Sequence, residues 1–196
     1  MASELKVDKI SPNSGTAFTF GDSGDNFSIP SGCTITNSGT ATGFGGGKVG
    51  QCLSATKTDT VTNNNATFTT ISGLSVDITP SATSSKILVM WHININGNNG
   101  GSGIQIVRDS TAICIGDAAS SRKRTTANTY NDNAAFQPNF AGQHLDSPSS
   151  TSQITYALQW RSNGTQTDYL NRSESDGDST DSNRTASNIT VMEILA

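Results

Sequence analysis

Ile87-Leu88-Val89-Met90-Trp91-His92-Ile93-Asn94-Ile95 is the stretch that decides the fold. Ile87, Val89, Trp91, Ile93 and Ile95 recur at every second position, the repeat of a strand with one face on a core. Leu88 and Met90 cover the start of the other face, which turns polar at His92 and Asn94. The spacing predicts a central core strand. The polar interruptions also keep this run, the longest apolar one, short of a membrane span.

The same alternation recurs outward along the chain. Ile154, Tyr156, Leu158 and Trp160 form one clean run, and Ile189, Val191, Met192, Ile194 and Leu195 form a closing strand. Ile104 and Ile106 lie before Arg108-Asp109-Ser110, and Ile113 and Ile115 after it, which predicts a hairpin with an Asp-containing turn. Weaker strands are expected over 49–55, 67–71, 74–78 and 167–170. About eight strands without a helix predict an antiparallel β-sandwich, jelly-roll-like in its connections.

The residues before this domain read differently. Phe18, Phe20, Phe27, Ile29, Cys33 and Ile35 sit in very short alternating runs broken by Gly21 to Asp25, Pro30-Ser31-Gly32 and Asn37-Ser38-Gly39. Such strands bury one or two apolar residues per face, too little to offset the entropy of ordering them. They are expected to pack against copies of themselves or a host surface, with Phe18, Phe20, Phe27, Ile29 and Ile35 as an attachment and trimer core. Gly45-Gly46-Gly47 marks the hinge, because glycine loses the most freedom on ordering. The domains are therefore 1–45, an N-terminal β extension, and 46–196, the sandwich. Thr42 and Val49 stand where a phosphate loop needs Gly and Ser or Thr, so no nucleotide site is expected there.

Composition narrows the classes. The 196 residues are 33% hydrophobic and 14% charged with a formal net charge of -4, and Ser, Thr, Asn and Gly fill the difference. Disorder usually couples low hydrophobicity to high net charge, so the pattern fits solvated β structure instead. A pI near 5.0 argues against nucleic acid, whose phosphates need clustered cations. The polar start Met1-Ala2-Ser3-Glu4-Leu5-Lys6 lacks a secretory apolar region, so maturation in a cytoplasm is expected. Cys33, Cys52 and Cys114 then read as reduced, mostly buried small hydrophobes.

Catalytic and metal signals are thin. His144-Leu145-Asp146 among many serines resembles a hydrolytic set, yet no Gly-x-Ser-x-Gly elbow exists. His92 and His144 are too few for a His-based metal site, and His92 is expected on a sheet surface or subunit contact. The acidic run 174–181 offers Asp176, Asp178 and Asp181 as oxygen ligands for a hard cation, without the order of an EF-hand. Its competing reading is a solvated loop. Arg122-Lys123-Arg124 reads either as solvated or as a contact to an acidic neighbour or anionic sugar. The stretches 96–101, 125–133 and 174–181 are expected as exposed loops. Tyr130 beside Asn128, Asn131 and Asn133 suits weak sugar binding, with a subunit seam as the competing reading.

Several motifs carry a resemblance. Ile71-Ser72-Gly73-Leu74-Ser75-Val76-Asp77-Ile78-Thr79-Pro80, Ser84-Ser85-Lys86-Ile87-Leu88-Val89, Arg108 to Ile113 with Gly116-Asp117-Ala118, Leu145 to Pro148, Gln159-Trp160-Arg161 and the ending Ile189 to Ile194 are similar to a C-terminal module of tail-fibre-like virion proteins of marine bacteriophages, of the cyanophage type. Leu5 to Ile10 and Ile29 to Gly32 resemble the stalks before such modules. The resemblance implies a non-enzymatic virion surface protein, a homotrimer assembled in a host bacterial cytoplasm and joined to other tail or capsid proteins. The exposed loops, rich in Asn, Ser and Thr with scattered Tyr and Arg, are expected to meet a host surface glycan, and no cofactor, nucleic acid or membrane insertion is expected. The short stalk keeps a second role open, a trimeric decoration protein that stabilises the head.

Overall fold

A computed structural model describes residues 49–97, 100–131 and 133–195, with scattered positions between 23 and 36. The chain divides into two units, Met1–Phe44 and Gly45–Ala196. In the first, the described residues carry turns at Ser23-Gly24 and Ser31-Gly32. The second turn is closed by the Cys33 amide on the Pro30 carbonyl at 3.2 Å. These residues are exposed and outside any strand, Ile29 among them. Phe18, Phe20, Phe27 and Ile35, expected as a trimer core, lie outside the described residues.

The second unit is all-β, with no helix among the described residues. Its strands are β1 (Val49–Lys57), β2 (Val61–Asn63), β3 (Thr69–Ile78), β4 (Lys86–Gly97), β5 (Gly100–Arg108) and β6 (Thr111–Ile113). They continue with β7 (Ala127–Asn131), β8 (Asn139–Asp146), β9 (Ile154–Arg161), β10 (Asp168–Leu170) and β11 (Ser187–Ile194). One sheet runs β1-β11-β4-β10-β2 with β8 also on β4, and the other runs β3-β9-β5-β6 with β7 also on β5. Every pairing is antiparallel. The two sheets enclose one core, in a sandwich-like arrangement.

The expected central strand is β4. Ile87, Val89, Trp91, Ile93 and Ile95 all point into the core. β8 lies along one edge of β4. Along the other edge β11 covers Lys86 to His92, and β10 then covers Ile95 to Gly97. The chain leaves this edge after Asn171, makes the excursion 172–186 and returns at Ser187. Asn171 is the pivot, buried and left-handed at φ 58°. Its side chain donates to the carbonyls of Lys57 at 2.9 Å and Asp59 at 3.0 Å and accepts from the Ser187 hydroxyl at 2.7 Å. Asn is among the non-glycine residues that adopt that backbone most readily, and here these three bonds to distant parts of the chain hold it there.

Two close fits depend on glycine. Ile71 and Leu74 are three apart, which breaks a period of two, yet both are fully buried. A bulge between Thr70 and Ser75 resolves this, with Gly73 at φ +86° absorbing the extra residues. The expected strands at 67–71 and 74–78 are thus one bulged strand. On β8, Gly142 lies opposite Trp91, and a Cβ there would run into the indole ring.

Other expectations are corrected. Among the described residues eleven strands replace about eight, because β2, β7 and β8 carry too few apolar residues to announce themselves. Residues 127–131 form β7 rather than an exposed loop, and Asn96 is fully buried in β4 rather than in a turn. β6 ends at Ile113, short of Ile115. β11 keeps its alternation past Val191, so buried Glu193, not Met192, continues the inner face. Cys33, Cys52 and Cys114 are free thiols as expected but exposed rather than buried.

Candidate functional site

The outer face of the β7-β5-β9 part of the second sheet carries two of the sequence-predicted sugar-binding residues, Tyr130 and Asn128. Ser102 pairs with Thr129, and both are buried inward. Strand alternation therefore turns Gly101, Gly103, Asn128 and Tyr130 outward. Gly101 lies opposite Tyr130 and Gly103 opposite Asn128. Tyr130 is 74% exposed, the most exposed large hydrophobic side chain among the described residues. The Asn128 amide stands 3.7 Å from where a Gly101 Cβ would be. An aromatic ring and an amide thus flank Gly101, while Gly103 is buried beneath the Thr125 methyl group and the Arg161 side chain.

The neighbouring rows are polar. Gly103 also pairs with Arg161, whose Nε lies 3.4 Å from a would-be Gly103 Cβ. Gln105 donates to Gln159 at 2.7 Å, and Gln159 donates to the Thr70 hydroxyl at 3.2 Å. Amides held flat against a sheet by one another present oriented donors and acceptors, which suits hydroxyl-rich ligands. Arg161, Gln105 and Gln159 were not legible as site residues, because their proximity depends on cross-strand register.

The other predicted residues are placed as follows. Asn131 ends β7, and its side chain lies outside the described residues, while Asn133 is exposed. Arg122 is exposed on the excursion between β6 and β7, where its amide donates to the Ala119 carbonyl at 3.1 Å. Among the described residues, no hydrogen bond or ion pair joins Arg122 to Tyr130 or Asn128.

The acidic excursion is engaged within itself. Asp176 pairs with Arg184 and, at 3.5 Å, with Arg172, whose guanidinium also stacks 4.4 Å from the centre of the Tyr169 ring. Asp178 and Asp181 are exposed. Among the described residues, no group of three or more His, Cys, Asp or Glu is placed to hold a metal ion. His92 and Asn139 share a short hydrogen bond on the outer face of the first sheet. Asp146 bonds to Arg108 and Tyr156, and among the described residues no hydrogen bond joins it to His144.

Buried acids lie between the sheets. At the Val49 end, Arg108 Nη1 meets both Asp146 oxygens at 2.9 Å, and the Tyr156 hydroxyl donates to Asp146 at 2.6 Å. Burial and that bond push the Tyr156 hydroxyl up. Glu193 accepts from the Ser81 amide and hydroxyl, each at 2.6 Å, and from Gln51 at 2.9 Å. Burial alone would raise its carboxyl, but these bonds hold it down to about 2.

At the opposite end, Asp168 lies beside Gly97 and Ser102. Burial pushes its carboxyl up to about 7, against the opposing pull of the Ser102 hydroxyl and the Arg161 charge. Ser102 lies close without hydrogen-bonding geometry, and Asp168 Oδ2 has no hydrogen-bond partner.

The chain matches no protein-family model, and no curated protein matches it in sequence.

Proposed function

We propose that this chain is a structural protein of a bacteriophage virion, a tail-fibre-like homotrimer that attaches through its N-terminal segment and displays the sandwich for host adsorption. The single observation that carries the adsorptive role is Tyr130, 74% exposed beside Asn128 over the Gly101 floor. A large ring kept in solvent on a regular strand contributes nothing to the core, whereas it offers a flat apolar surface to a sugar ring. The amide rows alongside supply orientation.

The sandwich is best read as a jelly roll. Taking the eight principal strands β1, β3, β4, β5, β7, β8, β9 and β11 in order, the sheets run first-eighth-third-sixth and second-seventh-fourth-fifth. That interleaving is two nested Greek keys, an architecture used by viral and lectin domains. Fold alone does not carry function, so the reading rests on the Tyr130 face together with the motif resemblance.

The test is adsorption of virions that carry Tyr130→Ala. The proposal expects slower adsorption to host cells with unchanged heat and osmotic resistance. Unchanged adsorption with loss of particle resistance would instead establish head decoration. A copy number of hundreds of chains per particle, from a quantified gel band, would support that second outcome.

A further inference from the structure

Asparagine is followed by glycine at three places, Asn96-Gly97, Asn99-Gly100 and Asn163-Gly164. Without a side chain, glycine leaves its own amide nitrogen open to the carbonyl carbon of the preceding asparagine side chain. The fold treats the pairs differently. Asn96 is fully buried in β4, where its amide nitrogen donates to the carbonyls of Asn133 at 3.2 Å and of Phe136. Asn99 lies outside the described residues. Asn163 is exposed in the loop after β9. Its Oδ1 accepts three hydrogen bonds, from the Thr165 amide at 2.9 Å, the Thr165 hydroxyl at 3.0 Å and the Gln166 amide at 3.0 Å. The Gly164 amide donates to the hydroxyl of buried Ser162 at 2.9 Å.

We propose that Asn163 is a self-modification site, at which the folded loop promotes loss of the side-chain amide through a cyclic imide with Gly164. An asparagine oxygen bonded to the amide two residues on copies a backbone turn, which folds Cγ back beside the intervening Gly164 nitrogen. That nitrogen attacks Cγ, and Oδ1 takes up the developing negative charge. Preorganised donors about 2.7–3.1 Å from such an oxygen stabilise the charge, and all three donors lie in that range. The Gly164 N–H proton passes to solvent by way of the Ser162 hydroxyl. The Cγ–Nδ2 bond breaks, and Nδ2 takes up a proton and leaves as ammonia. Water then opens the imide at either carbonyl, giving an aspartyl or an isoaspartyl residue. The product adds one negative charge to a chain that is formally -4. The loop packs on residues 65–67, where the Ser162 amide donates to the Asn65 carbonyl at 2.8 Å. Asn65 is the internal comparison. Its Oδ1 accepts from the Thr67 amide at 3.0 Å and hydroxyl at 2.8 Å, but Ala66 rather than glycine follows it.

The full-length chain is incubated at neutral pH, folded or unfolded in urea, and amide loss is read in tryptic peptides by mass spectrometry with fragment ions locating the site. Asn163 falls in the peptide 162–172, bounded by Arg161 and Arg172. It is expected to lose its amide at least about tenfold faster in the folded chain than in the unfolded one. That is less than the roughly 10²–10³-fold of one donor in an enclosed active site, because water competes at an exposed loop. Asn96 is expected to show the reverse order, and Asn65 to react more slowly than Asn163 in both states. Thr165→Val removes one of the three donors at an exposed position. It is expected to bring the folded rate towards the unfolded one, while Thr67→Val leaves the Asn163 rate unchanged. Amide loss at Asn163 that is no faster folded than unfolded overturns the proposal, as does a folded Thr165→Val variant that reacts as wild type. Should Thr165→Val misfold, the folded-to-unfolded ratio of the wild type decides alone.

Discussion

Tyr156 reaches across the sandwich to Asp146, donating its hydroxyl at 2.6 Å from the second sheet to the first. Arg108 grips the same carboxylate, so one acid joins β5, β8 and β9. Asp146→Ala leaves a part-buried guanidinium without its partner and is expected to destabilise by about 3 kcal/mol. Tyr156→Phe removes one bond to a charged group and is expected to lose about 1.5–3 kcal/mol. Urea unfolding of both variants, with unchanged m-values, checks the ranking.

Asp168 and Glu193 predict opposite pH slopes. The Asp168 carboxyl is raised from 3.8 to about 7 on folding. Its folded state favours the protonated form, so stability falls as pH rises from about 4 to about 7. Glu193 is lowered from 4.5 to about 2. Its contribution is full above 4.5 and is lost as pH falls towards 2. Stability is therefore expected to peak near pH 4–5, with Asp168→Asn flattening the upper limb by up to a few kcal/mol. Thermal unfolding from pH 2 to 8 measures it, and an unchanged upper limb in Asp168→Asn refutes the assignment.

Gly142→Ala is expected to cost about 1–3 kcal/mol, because its methyl group must displace the Trp91 ring from a packed core. Trp91 fluorescence should shift in the same variant. Gly116→Ala, with open space around its position, serves as the neutral control.

Asn171→Ala removes the bonds to Lys57, Asp59 and Ser187 while keeping a left-handed backbone that Ala disfavours. A loss of about 2–4 kcal/mol is expected. Hydrogen exchange should show the loss first around residues 168–187, where the chain leaves and rejoins the edge of β4.

Tyr130→Ala and Asn128→Ala are expected to weaken sugar binding while stability stays within about 1 kcal/mol, as for surface changes. Glycan-array binding and urea unfolding on the same preparations separate the two effects. A Tyr130→Ala variant that binds as wild type would remove the ring from the site.

The sequence by itself determined the β class and the strongest strands. β4, β9 and β11 are legible because Ile87 to Ile95, Ile154 to Trp160 and Ile189 to Val191 alternate strictly, and alternation is a local property of the pleat. The Asp109 turn was legible for the same reason, since its left-handed backbone, φ 54°, is written in the residue type. Tyr130 was legible as an aromatic ring beside Asn128, Asn131 and Asn133, but in an exposed loop, whereas Tyr130 and Asn128 lie on strand β7. Tertiary structure decided what depends on pairing. β7 and β8 are held as strands by β5 and β4, not by apolar content. Gly73 lets Ile71 and Leu74 share a face only through its bulge. Glu193 is buried because Ser81 and Gln51 converge on it, and Asp176 is engaged because two arginines reach it. Asn128, Gly103 and Arg161 lie in one row only because β5 brings β7 and β9 into register, and register between distant strands is fixed by the packing of the whole core.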